Sequence, residues 1–545
     1  YLGTNTNYLH SFLTSNQLNF RKSFGDHAIT ALAAMEFGKT TTENMMINVN
    51  HVPAGYPVIT LAGMAGPSYD FSAFGIVPVK SDYIDGGKQV QGVYSIFGEA
   101  GYTYRRRYSL SGSVRTDASS SFGKDRRYGT FYSGGVAWVI SEENFLKRAK
   151  SVNNLKLRIN YGTNGSQLGD NFLTRTLYQS GQTYSNQAAA TVAILGNPDL
   201  RWEVTRTLST GVDFGLFNRI SGSLDIYNRL SEDLLQKVTL PALAGFATQW
   251  QNVAAVRNQG IEFLINSTNI KGKNFQWSTS FNISYNKNSI VSAANDSLRQ
   301  GYGTYNAYYL FKGEDVNTLK AIKYAGVDPQ SGKPQFEKLI YDNQGHVSGK
   351  QLVNTVAEVG PSDTRQYQSI GSFQPRVYGG LTNTFTYKQF SLNILITYAL
   401  KYVINDDLAR SIQGVNIPRY NQLAFRKNQV LWTHAGQTNA TEPWLYYNSN
   451  TSYYASSKYI HDGSNARLRT VRLSYDLPAS MLRRAKLAGL TAYVSADNLY
   501  TLYSKNIVAA DPEGPSVGQA QDFGNSIGTD IGIPRRFVLG LQLSF

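Results

Sequence analysis

The last thirteen residues, IPRRFVLGLQLSF, divide cleanly in steps of two. Phe537, Leu539, Leu541, Leu543 and Phe545 fall on one side of an extended chain, and Val538, Gly540, Gln542 and Ser544 on the other. The same period runs through FQWSTSFNISY (275–285), where Phe275, Trp277, Thr279, Phe281, Ile283 and Tyr285 oppose Gln276, Ser278, Ser280, Asn282 and Ser284. It recurs in LKLRINY (155–161), with Lys156, Arg158 and Asn160 on the polar side, and in YSIFGEAGYTY (94–104), LNILITY (392–398) and RISGSLDIY (219–227). These segments reach about ten residues, the length a tilted strand needs to cross a bilayer. Strands of soluble proteins are typically about five or six residues long. The pattern predicts an all-β chain that forms a transmembrane antiparallel β-barrel, its greasy face toward lipid.

The connections carry a second rhythm. Tight turns at SFGD (23–26), YRRR (104–107), LFN (216–218), NIKGKN (269–274) and YKQ (387–389) alternate with long segments at 38–93, 164–204, 231–257, 287–375, 401–464 and 499–533. Short periplasmic turns and long extracellular loops are the habit of outer-membrane barrels. Two connections blur it: 141–154 falls inside at middling length, and 117–127 falls outside but is short. The count comes to about fifteen strands, whereas single-chain bacterial barrels have an even number. With Phe545 inside, Tyr1 then begins in an extracellular loop, and the chain is expected to be the C-terminal part of a barrel that lacks its first strands.

Composition agrees. Charged residues make up 16% of the chain and aromatic residues 13%, including 37 Tyr, and there is no Cys. No stretch approaches the roughly 18 apolar residues of a membrane helix, which excludes a helical membrane protein but not a barrel. The lack of Cys excludes disulfide scaffolds and thiolate metal sites. The formal net charge of +15 is scattered over short clusters, Arg105–Arg107, Arg126–Arg127, Arg483–Arg484 and Arg535–Arg536, each at the edge of an alternating segment. This is the placement of interfacial anchors; no nucleic-acid-binding module is visible.

Chemistry is sparse. There is no G-x-S-x-G, H-E-x-x-H or P-loop. The six His, at 10, 27, 51, 346, 434 and 461, stand apart from one another. No catalytic residue, metal site or cofactor is expected, and DNQGH (342–346) reads as a turn rather than a calcium loop. The loops are instead rich in aromatic residues. Tyr302, Tyr305, Tyr308 and Tyr309 lie in YGTYNAYYLF, and Trp444, Tyr446 and Tyr447 in TEPWLYYNSNTSYYASSKY. Such rings stack on sugars and peptides at little entropic cost, and they also fold long loops. These seven are the candidate ligand contacts.

Several stretches resemble the SusC/RagA-like TonB-dependent transporters of Bacteroidetes outer membranes. They are NPDLRWEVTRTLSTGVDFGLFNRISGSLDIYNRLSEDLL (197–235), NQGIEF (258–263), YAGVDPQSGKPQF (324–336), ARLRTVRLSYDLP (466–478), YVSADNLYTL (493–502), DPEG (511–514) and the terminal strand. The resemblance spans about 94–545 and implies a barrel of 22 strands around an N-terminal plug. Neither plug nor TonB box is visible in this chain, so both are expected on a plug-bearing N-terminal portion that also holds about seven missing strands. Further implied are a SusD-like surface lipoprotein as lid, energy from the TonB complex acting through the plug, and a barrel set in outer-membrane lipid and lipopolysaccharide. A dimer of transporter–lipoprotein pairs, a barrel-assembly role for the terminal aromatic Phe545, and no nucleic-acid partner complete the set.

The function expected is active import of a large nutrient, an oligosaccharide or oligopeptide. The alternatives are a passive porin-like channel and a barrel scaffold for surface lipoproteins or secretion partners. A soluble β-sandwich lectin is the weakest rival.

Overall fold

The computed structural model describes residues 2–49, 83–167, 169, 172–184, 187–294, 297–302, 305–406, 429–443, 456–482, 487–507, 511–513 and 533–544. Fifteen antiparallel strands form one sheet, each hydrogen-bonded to the next in chain order, from Leu2–Phe24 and His27–Val49 to Gly489–Tyr503 and Arg536–Ser544. Short hairpins in the connections are skipped by this order. Among the described residues no helix is long and apolar enough to cross a membrane.

The exposure of the apolar face separates a membrane wall from a soluble sandwich. In the last strand Phe537 is 70% exposed, Leu539 83% and Leu541 70%, and the pattern repeats at Leu110 and Val114, at Tyr94 and Ile96, and at Val494 and Leu502. In water this surface would be an aggregation hazard; in hydrocarbon it is the matching face. All five tight turns hold. Gly25–Asp26, for example, joins Phe24 to His27, and Lys388–Gln389 joins Tyr387 to Phe390.

The long connections need correction. Residues 231–257 are chiefly strand, because Ile220–Thr239 and Thr248–Lys271 run on past the apolar segment. Likewise His27–Val49 and Tyr83–Tyr104 extend well into 38–93. Beyond the bilayer neither face meets lipid, so alternation fades while the ladder of backbone hydrogen bonds continues.

The chain divides into two compact units, the first comprising Tyr1–Val136, Asn160–Arg206 and Ser231–Val253, the second Ala137–Ile159, Thr207–Leu230 and Ala254–Phe545. In the first unit the NPDLRWE segment builds a small core of Phe122, Phe131, Leu173, Leu200 and Trp202. Its polar groups lock the surrounding chain. The Trp202 indole N–H donates to the Arg127 carbonyl at 2.9 Å, Asn197 donates to the Trp250 carbonyl at 2.8 Å, and Arg201 pairs with Asp233 at 2.7 Å. The Asn252 amide donates to the Arg201 carbonyl at 2.9 Å and accepts from the Arg201 N–H at 3.0 Å.

In the second unit the connection 293–376 folds on itself. Thr318–Ala321 pairs with Gln368–Ser372, and Tyr324–Val327, Pro334–Tyr341 and Val347–Val353 form a three-stranded sheet. Ile322, Phe336, Val353, Val356, Val359, Tyr367 and Phe373 make its core. The one-turn helix Val356–Val359 is written in TVAEVG: Thr355 caps it by accepting from the Glu358 N–H, and Gly360 closes it at φ +84°.

Trp202→Ala should empty the core of the first unit, at a cost of about 3–5 kcal/mol. Hydrogen exchange should rise at 119–131 and 197–204 while the Pro334–Tyr341 hairpin keeps its protection.

Candidate functional site

The polar side of the alternation, the lumen side in a barrel, carries most of the organised chemistry. In the second unit Arg158 points from Val152–Ser166 to two carboxylates. It donates to Asp213 at 2.8 and 2.9 Å and to Asp225 at 3.0 Å. All three side chains are about 30% exposed, so the attraction acts in a partly desolvated setting. The first unit has its own cluster, in which Arg115 donates to Glu36 at 3.1 Å, Asp117 at 2.7 Å and Ser95 at 2.9 Å and lies over the Phe97 ring.

Nearer the long-loop side, the second unit replaces charges with amides. The Tyr227 hydroxyl donates to Asn286 at 3.1 Å, and Asn286 and Asn288 both donate to the Asn258 carbonyl oxygen at 3.1 and 3.0 Å. Asn288 in turn accepts the Val316 N–H at 3.0 Å, which ties the wall to the folded connection. A Cβ at Gly260 would strike the Tyr227 ring and the Tyr285 carbonyl, which is why NQGIEF needs its glycine. At the other end of the same strands, a cavity of about 500 Å³ is lined by Asn153, Asn266, Ser278, Ser280, Thr382 and Thr384 among others. Its lining is nearly all hydroxyl and amide, with Arg219 the charged member.

The folded connection is gripped by distant segments of the same unit. The Trp432 indole N–H donates to the Pro329 carbonyl at 2.9 Å, and its ring covers Gly332, leaving no room for a side chain at a position whose φ of +66° already favours glycine. Lys458, almost fully buried, pairs with Glu442 at 2.5 Å beside the Tyr324 ring. Burial pushes the Tyr324 hydroxyl well above its ordinary pKa. Gln366 substitutes for a missing strand neighbour, accepting the Leu339 N–H at 2.8 Å and donating to the Leu339 carbonyl at 2.9 Å. The 342–346 turn is held by the Asp342 carboxylate, which accepts from the N–H groups of Gln344 and His346.

Two of the sequence motifs meet. Arg467, 1% exposed, binds Asp511 and pairs with Glu513 at 2.8 Å, and Arg469 reaches the same Glu513 at 2.7 Å. Charged residues on the polar face of an alternating strand were the available signal for Asp213 and Asp225, but not for this cluster: Arg467 shares the sequence parity of Leu473, and a register shift between Leu468 and Thr470 turns it to the other face. Aromatic content pointed elsewhere. Tyr302, Tyr305, Tyr308 and Tyr309 lie on the backbone hairpin Ser297–Tyr302 with Tyr305–Phe311, where Tyr302 faces Tyr305 and Gln300 faces Tyr308. Trp444, Tyr446, Tyr447 and Phe545 lie outside the described residues. Among the described residues no group of His, Asp or Glu has metal-binding geometry.

The sequence profile of the family described as "TonB dependent receptor-like, beta-barrel" matches residues 1–499. TonB-dependent receptor P3 of Formosa agariphila is 29% identical over 98% of this chain and 52% of its own length. TonB-dependent receptor SusC of Bacteroides thetaiotaomicron is 28% identical over 83% of this chain and 43% of its own. The RagAB peptide transporter structure superposes with a TM-score of 0.82 at 22% identity, covering 100% of this chain and 56% of that one, a likeness of fold. The chain thus spans about half the length of the curated relatives it matches.

Two outcomes follow from the ion pairs. Arg158→Gln leaves Asp213 and Asp225 facing each other and should cost about 1–3 kcal/mol, read as a lower urea midpoint, with part of the loss restored by adding Asp225→Asn. Lys350 first, then Lys323 and Gln368, hold the Glu337 carboxyl below the usual carboxylate range. Because its folded pKa is depressed, its contribution is full at neutral pH and is lost as the pH falls through that lowered value. Protection factors over 334–353, the exchange rates taken relative to the intrinsic rate at each pH, should fall on acidification, and less so in Glu337→Gln.

Proposed function

We propose, from the premise that the chain belongs to the TonB-dependent receptor-like β-barrel family, that it serves in the active import of a large polar nutrient across the outer membrane. Its relatives are named receptors, not enzymes, and the chain is an outer-membrane β-barrel with no catalytic role. In this reading it is the C-terminal part of the barrel, and a plug-bearing N-terminal portion transmits the pull of the TonB complex. A SusD-like lipoprotein covers the long-loop side, and transporter–lipoprotein pairs associate as dimers within outer-membrane lipid and lipopolysaccharide.

The observation that carries this reading is the amide ladder Tyr227–Asn286–Asn258–Asn288, which joins the polar wall to the folded connection. A cargo rich in hydroxyls or amides, an oligosaccharide or an oligopeptide, can exchange hydrogen bonds with such a wall. In clusters such as Arg158 with Asp213 and Asp225 the cation is already engaged by carboxylates of the wall, so it does not trap cargo by one strong ion pair. Tyr302, Tyr305, Tyr308, Tyr309, Trp444, Tyr446 and Tyr447 are placed in this proposal as the first contacts, stacking on the cargo. Phe545 is the aromatic end read by the assembly machinery.

The test is to purify the native complex in mild detergent and identify every chain by mass spectrometry, then measure uptake of labelled oligopeptides and oligosaccharides with and without TonB. A plug-bearing polypeptide, a SusD-like lipoprotein and TonB-dependent uptake are expected. A complex with no plug, or uptake indifferent to TonB, would leave the porin-like channel or the scaffold.

A further inference from the structure

The tight turns of the second unit share a composition that the import reading does not use. LFNR (216–219), KGKN (271–274) and YKQF (387–390) carry Arg219, Lys271, Lys273 and Lys388 and no acidic residue. All four cations are exposed, and among the described residues none lies within salt-bridge distance of a carboxylate; Lys388 lies over the Tyr387 ring at 5.6 Å. The turns are neighbours: the Lys388 N–H donates to the Asn274 carbonyl at 2.9 Å, and the Thr268 N–H donates to the Arg219 carbonyl at 2.8 Å. The acid of the next connection, Asp476, adjoins the Lys388 turn through its N–H to the Gln389 carbonyl at 2.9 Å, but its carboxylate accepts from the Thr491 hydroxyl at 2.5 Å and lies within salt-bridge distance of none of these cations, which outnumber it.

The backbone adds an independent observation. Phe217, Asn218 and Lys388 have φ of +54°, +53° and +52°. That left-handed region favours glycine or asparagine, yet two of the three places hold an aromatic and a cation. Turn-forming preference has yielded to side-chain chemistry. Just inside the turns the lipid-facing rings crowd together, with Trp277 stacked on Phe385 at 5.7 Å and Phe390 against Tyr475 at 4.6 Å. Phe217 and Tyr387 are exposed beside them. An aromatic belt fixes the depth of the headgroup layer, so the cations lie at or just beyond it, and long lysine stems reach into it.

We propose that these turns are a docking rim for the phosphate headgroups of anionic phospholipids in the periplasmic leaflet, with Lys271, Lys273 and Lys388 as the cations that hold them. The occupant follows from charge and depth together: an unneutralised basic rim lies directly below an apolar, aromatic-edged surface. A phospholipid offers a phosphate and acyl chains in the same vertical order.

The experiment uses the full-length transporter purified in detergent. Native mass spectrometry would count phosphatidylglycerol and phosphatidylcholine adducts at matched concentrations. Wild-type protein should retain phosphatidylglycerol in preference, and Lys271→Gln/Lys273→Gln/Lys388→Gln should lower that preference about tenfold or more, since each basic residue near an anionic surface is worth roughly fivefold. The control Lys312→Gln/Lys333→Gln, in the 293–376 connection, should keep it. If the triple variant fails to assemble, Lys273→Gln and Lys388→Gln singly should each lower it several-fold. An unchanged preference in these variants, an equal loss in the control, or displacement of the lipid by excess inorganic phosphate would overturn the proposal, the last pointing to a free-anion site.

Discussion

Everything in this chain depends on one constraint: in hydrocarbon, a backbone N–H or C=O has no water to bond, so each strand must take its partners from its neighbours. The fifteen strands satisfy this by pairing in chain order. Once the ladder is fixed, the two-residue period leaves each side chain only two destinations. One is lipid, which accepts the Leu539 and Leu541 row; the other takes most of the hydroxyls, amides and charges, and the exceptions, such as Thr279 and Asn383 beside Trp277, bond to one another. Clusters such as Arg158 with Asp213 and Asp225 follow from this sorting, because charges gathered on one face and partly removed from water are tolerable only when paired.

The same constraint explains what the sequence disclosed and what it hid. Alternation is legible only where the two faces meet different surroundings, so the membrane-crossing segments and their tight turns could be read directly. Past the bilayer the contrast disappears, and 231–257 read as loop although it is mostly strand. The folded connection was harder still. Its core, Ile322, Phe336 and Val353 with Val359 and Phe373, is assembled from short strands and one helical turn, none long enough to show a period. Arg467 and Asp511 were visible as parts of separate motifs, but 44 residues separate them, and only the fold brings them together.

The stretches that most resemble a known family turn out to be fastenings. NPDLRWE closes the core around Trp202, DPQSG receives Trp432, and DPEG receives Arg467 and Arg469. Each secures a long excursion of chain by burying one large side chain and satisfying its polar edge. Such places constrain residue identity strongly, whereas a loop surface that meets a particular cargo does not.

The folded connection between 293 and 376 has a core of its own and rests on the wall through a few hydrogen bonds, such as Val316 to Asn288. Its outward surface can therefore drift without loosening the membrane strands. For a protein displayed to the outside world, this is room to diversify: substitutions on the surface that antibodies and phages would meet need not disturb the wall beneath.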